Sequence, residues 1–95
     1  MNAADSMSEI CRVVIKNKRG LHARASAKFV SMAGGFDAEI TVSKDGAQVC
    51  GTSIMGLLML AAAPGDEITI KAEGAGYEVA LEALQKLVDD KFGED

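Results

Sequence analysis

Apolar and polar side chains alternate along several stretches of this chain, and between them apolar residues recur at helical spacing. Cys11, Val13 and Ile15 alternate with Arg12, Val14 and Lys16 in a stretch rich in β-branched residues, which predicts a first strand over 10–16. Asn17 to Gly20 is a polar turn. Behind it Phe29, Val30 and Ala33 follow Ser26 at helical spacing, so a helix from Ala23 to Ala33 is expected, stopped by Gly34 and Gly35. Ala38, Ile40 and Val42 alternate with Glu39, Thr41 and Ser43, and the Asp45-Gly46 pair signals a hairpin into a short strand over Ala47 to Cys50. Ser53 stands where an N-cap belongs, ahead of Ile54, Met55, Leu57, Leu58 and Met59; Pro64-Gly65 closes the short helix this run predicts. Ile68, Ile70 and Ala72 alternate with Glu67, Thr69 and Lys71 in a last strand. Tyr77, Ala80, Leu81, Leu84 and Val88 then share one face of a final helix.

The predicted order is β-α-β-β-α-β-α. Strands with one apolar and one polar face suit an α+β domain, an antiparallel sheet covered by helices on a single side. At 95 residues the chain has room for one such domain, expected over 9–95. Residues 1–8 carry neither period and are expected to form a flexible extension.

Composition narrows the function classes. The net charge of −4 opposes a nucleic-acid partner, and three Phe, one Tyr and no Trp offer little for base stacking. Cys11 and Cys50 lack CxxC spacing and read as buried free thiols rather than a metal or redox centre. No metal and no cofactor are expected. Met1 to Ser8 has no cationic segment leading into an apolar stretch, and the longest apolar run, Ile54 to Ala63, falls well short of the roughly 20 residues that span a bilayer. The expected location is cytoplasmic, without membrane insertion.

Candidate chemistry centres on His22, the single histidine, at the junction of the Gly-containing turn and the first helix. Free amides of a helix's first turn face an anion there, the helix dipole adds positive potential, and that field favours a ring nitrogen with a free lone pair. Arg24 supplies a fixed guanidinium two residues on. Lys16, Lys18 and Arg19 make the preceding turn basic, either as a solvated turn or as a docking feature. By spacing alone, His22 reads sooner as a surface or capping residue without chemistry.

Gly20-Leu21-His22-Ala23-Arg24 resembles the phosphoryl-acceptor motif of the HPr family. The resemblance runs from Met7 onward and includes Gly35-Phe36-Asp37-Ala38-Glu39, the run Ser53 to Leu60 and the terminal helix. The Leu57-Leu58-Met59-Leu60 run and the tail Phe92-Gly93-Glu94-Asp95 look more like the nitrogen-related branch than the sugar-transport branch. The resemblance implies an open-faced β-sandwich, four antiparallel strands with three helices on one face. It implies that enzyme I, charged by phosphoenolpyruvate, phosphorylates His22, with Arg24 as supporting cation, and that a IIA-type protein receives the phosphoryl group. It also implies a docking surface of Ala23, Ala27, Ile54, Met55 and Leu58, a monomer in solution, and, as in some branches, phosphorylation of Ser53 by a dedicated kinase.

Two departures stand out. Ala25 occupies a first-turn position where the family usually has Pro, restoring an amide donor and loosening the turn. Thr52 replaces a longer polar or basic side chain, which bears on recognition of Ser53.

Two further readings compete. A small acyl-phosphate phosphatase would need a positioned water and an amide side chain to hold it, for which Asn17 is the only asparagine near the loop. A prosthetic-group carrier with Ser53 bearing a phosphopantetheine arm would be a helical bundle, against the strand-rich pattern here.

Overall fold

The computed structural model describes residues 7–94. Alternation produces β1 (Ser8–Val14), β2 (Glu39–Lys44), β3 (Ala47–Cys50) and β4 (Glu67–Glu73), and helical spacing produces α1 (Ala23–Ala33), α2 (Ile54–Leu60) and α3 (Tyr77–Asp89). A short 3₁₀ turn over Lys91–Gly93 follows α3. All neighbouring strands are antiparallel, in the order β1-β4-β2-β3. Asp45 and Gly46 both have positive φ, as the two-residue loop between Lys44 and its partner Ala47 requires.

One sheet face is apolar: Val13, Ile40, Val42, Ile68, Ile70 and Ala72 are buried in a single core with Phe29, Leu57, Leu84 and Val88 from the three helices. The opposite face carries Arg12, Thr41, Thr69 and Lys71, none of them buried. The fold is therefore the expected open-faced sandwich. Burying a large apolar side chain contributes about 1.5–3 kcal/mol, so a core of this extent needs no disulfide or metal to hold it.

Some boundaries differ from the sequence reading. β1 starts and stops two residues earlier than 10–16, because its partner β4 begins at Glu67, opposite Val14, and offers nothing further to pair with. Ile15 instead bonds to the loop that leads into β4, its amide donating to Asp66 and its carbonyl accepting from Gly65. Of the stretch expected as an extension, residues 1–6 lie outside the described residues. Ser8 pairs with Glu73 in the sheet and the Met7 carbonyl accepts from Gly74.

The cysteines also differ from expectation. Both are free, but Cys11 is half-buried and Cys50 is exposed at the end of the edge strand β3, on the sheet face it shares with its partner Thr41. Phe92, in turn, is 1% exposed although it stands in a polar tail. Its φ of +56 and that of Lys91, +58, lie in the left-handed region, each costing about 1–2 kcal/mol, and burial of the ring offsets that strain.

Candidate functional site

The loop from Ile15 to His22 is fastened to the segment that follows α2. Besides the bonds of Ile15, the Leu21 amide donates to the Ala62 carbonyl at 2.9 Å. Gly20 has φ +64, and a Cβ there would sit 2.3 Å from the Ala62 oxygen, so only glycine lets the two segments approach this closely. Leu21 is buried in the core and the Ser26 hydroxyl donates to its carbonyl at 3.2 Å. These anchors bracket His22 and fix where its backbone lies.

His22 is the N-cap of α1, with extended backbone, φ −74 and ψ 179. Its carbonyl accepts from Ser26, the first helical bond, while its ring Nδ1 accepts from the Arg24 amide at 3.2 Å. A ring nitrogen that accepts from an N–H carries a lone pair. That lone pair therefore faces the positive end of α1.

The other ring nitrogen has a partner too. Nε2 lies 2.6 Å from Oε2 of Glu94, and Oε1 of the same carboxylate accepts from the Asn17 amide at 3.0 Å. Asn17 is fully buried, and its amide also donates to the Gly20 carbonyl at 2.7 Å. The side chains of His22 and Glu94 are only 16% and 19% exposed. The Asn17 amide holds the Glu94 carboxyl below the usual carboxylate range, burial opposes this, and the His22 ring and the Lys28 charge reinforce the lowering.

Sequence reasoning met Glu94 only as part of a family-like tail, without a role, and Asn17 only as a candidate holder of water. Both Asn17 amide bonds in the structure go to protein oxygens, so its donor is already engaged, contrary to what a phosphatase would need. No cluster of metal-ligating side chains occurs among the described residues.

The other expected residues are placed as follows. Arg24, Ala23 and Ala27 are exposed on α1. Ile54 and Met55 are exposed on α2, at 41% and 68%, while Leu58 is half-buried. α1 and α2 pack together, so these side chains stand on adjacent helices. Met59, 78% exposed, extends the apolar surface beyond the residues expected to form it. Ser53 caps α2 by accepting from the Gly56 amide at 3.0 Å. Lys16, in the basic turn, pairs with Asp89 at 2.9 Å.

Comparison with known proteins bears on the same residues. The family model described as "PTS HPr component phosphorylation site" matches residues 11–90. Phosphocarrier protein HPr of Neisseria meningitidis serogroup A is 49% identical over 82 residues, 86% of this chain and 92% of that protein. Phosphocarrier protein NPr of Shewanella violacea is 45% identical over 83 residues, 87% of this chain and 91% of the relative, so both branch names occur at similar identity. The crystal structure of HPr-C-His from Thermoanaerobacter tengcongensis superposes with a TM-score of 0.88 at 42% identity, covering 92% of this chain and 98% of that one. A histidine at a helix start, on a sandwich of this topology, in a chain matched over most of its length, places the protein in the HPr family, the phosphocarriers of the phosphotransferase system, rather than among enzymes.

Proposed function

We propose that Nδ1 of His22 accepts a phosphoryl group from phosphorylated enzyme I and passes it to a IIA-type protein, acting in the cytoplasm as a single copy of the chain. The observation that carries this reading is the contact between Nδ1 and the Arg24 amide. The nucleophile already points at a donor of the helix start, and when phosphorus bonds to Nδ1 the same amide is released to a phosphoryl oxygen. The Arg24 side chain, exposed two residues on in the chain, adds charge-assisted contacts to the transferring group.

Ile54, Met55 and Leu58 with Ala23 and Ala27 form the docking surface of this reading. Flexible Met and exposed aliphatics suit a surface that meets more than one partner. Ser53, the cap of α2, adjoins that surface, and a kinase that phosphorylated it would place nearly two negative charges beside the docking residues.

Incubation with phosphoenolpyruvate and enzyme I tests the proposal. The expected product is an acid-labile phosphoryl adduct, absent from His22→Ala although that variant folds. Label that persists in His22→Ala overturns the assignment. Arg24→Ala is expected to transfer roughly 10- to 1000-fold more slowly.

A further inference from the structure

The Nε2 side of the His22 ring is as definite as the Nδ1 side. Oxygens of an ionised carboxylate can only accept, so at 2.6 Å from Glu94 the proton of the ring sits on Nε2. That leaves the lone pair on Nδ1, in agreement with the bond Nδ1 accepts from the Arg24 amide. Glu94 is itself fixed, through Oε1 by the buried Asn17 amide. Lys28 supports the same segment, its ammonium donating to the Phe92 carbonyl at 2.6 Å. Amide, carboxylate and imidazole thus form a chain in which each group orients the next, ending on the nucleophile.

We propose that Glu94 is a positioning residue for phosphoryl transfer: held by Asn17, it fixes the His22 ring with Nδ1 free and counterbalances the charge the ring gains when phosphorylated. The proposal rests on His22 being the phosphoryl acceptor.

The charge balance explains why a carboxylate belongs here. The Nδ1 lone pair forms the nitrogen–phosphorus bond while the donor's bond to phosphorus breaks, its electron pair returning to the donor. No proton leaves the ring, because Nε2 keeps its own. The ring becomes an imidazolium carrying a phosphoryl group, and the Glu94 carboxylate faces that new positive charge across the Nε2 hydrogen bond. Onward transfer returns the bonding pair to Nδ1 and restores the neutral ring. Nε2 is the ring nitrogen remote from the nucleophile, so Glu94 assists without occupying the path of the phosphoryl group.

Initial rates of phosphorylation by enzyme I and phosphoenolpyruvate, measured over a range of concentrations of this protein, test the role with Glu94→Gln and Glu94→Ala. Glu94→Ala is expected to lower kcat about tenfold with KM little changed, as loss of a ring-orienting partner does elsewhere. Glu94→Gln should fall between, since it keeps an acceptor oxygen without the charge. In ¹H–¹⁵N spectra the His22 Nε2 proton should be protected from exchange in the wild type and lost in Glu94→Ala, a change that loss of stability alone does not produce. Rates equal to wild type in both variants overturn the role of Glu94 and leave the acceptor assignment standing. Faster transfer overturns it as well, by making the carboxylate a barrier. A wild-type protein that takes no phosphate on His22 overturns the acceptor assignment, and this role with it.

Discussion

Lys28 of α1 donates to the carbonyl of Phe92 at 2.6 Å, joining the first helix to the turn that follows the last one. The Phe92 ring fills the core while its backbone is left-handed, so the lysine caps a turn that would not be stable as an isolated peptide. Lys28→Met keeps most of the stem and removes the ammonium. The expected result is a loss of about 1 kcal/mol in chemical denaturation and faster amide exchange at Gly93 and Glu94 than elsewhere. Exchange that changes evenly over the whole molecule would show that the bond does not fasten this turn in particular.

Gly20 allows the loop bearing His22 to lie against the segment after α2. An alanine methyl there meets the Ala62 carbonyl at 2.3 Å and also takes on a left-handed backbone. Backbone strain of this kind costs about 1–3 kcal/mol, and the collision adds to it. Gly20→Ala is expected to melt at a lower temperature and to be phosphorylated more slowly, because Leu21 and His22 move with the loop. Thermal melting together with the initial transfer rate checks both effects. A variant that melts and transfers like wild type would mean that the loop relaxes freely.

The Glu94 carboxyl is held below its ordinary value of 4.5, chiefly by the Asn17 amide. A carboxyl whose pKa is lower in the folded chain stabilises the fold fully above the unfolded value, and that contribution disappears as pH falls through the folded value. The melting temperature of wild type should therefore exceed that of Glu94→Gln at pH 6 to 7. The gap should close as the solution is acidified below pH 4. A gap that is constant with pH would show that the ionised carboxylate is not the source of the difference.

Met55 is exposed at the start of α2, and Ser53 caps the same helix. Met55→Glu should weaken binding to enzyme I, measured by calorimetry, without lowering the melting temperature, because it places a charge on the proposed docking surface, which a partner would desolvate. Ser53→Asp should retain the cap, since aspartate is a good N-cap residue, yet accept phosphate more slowly. Ser53→Ala should keep a near-normal rate and lose about 1 kcal/mol of stability. If Ser53→Asp transfers at the wild-type rate, Ser53 is a cap and nothing more.

The helices and strands were legible where local signals agreed. The limits of α1 coincide with the apolar spacing from Ala23 to Ala33, and the Asp45-Gly46 turn forms where the pair predicts it. Position within the sheet was not legible, because alternation says which face of a strand is buried but not which strands flank it. Cys50 shares a face with Gln48 and pairs with Thr41, so it lies on the open face of the sheet and is exposed. For the site, the Nδ1 side of His22 follows from a neighbour two residues away. The Nε2 side depends on a partner 72 residues distant, and a lone glutamate in an acidic tail carries no local mark of that contact.

The strand order has a consequence for how the molecule is made. β4 lies between β1 and β2, so the first strand has no neighbour to pair with until Glu67–Glu73 has left the ribosome. The hairpin of β2 and β3 closes early through its two-residue loop, but β1 waits with its backbone donors and the apolar face of Val13 uncovered. Folding is then gated by a long-range pairing step, and a chain stalled before Glu67 presents an open strand edge to chaperones and to its own copies.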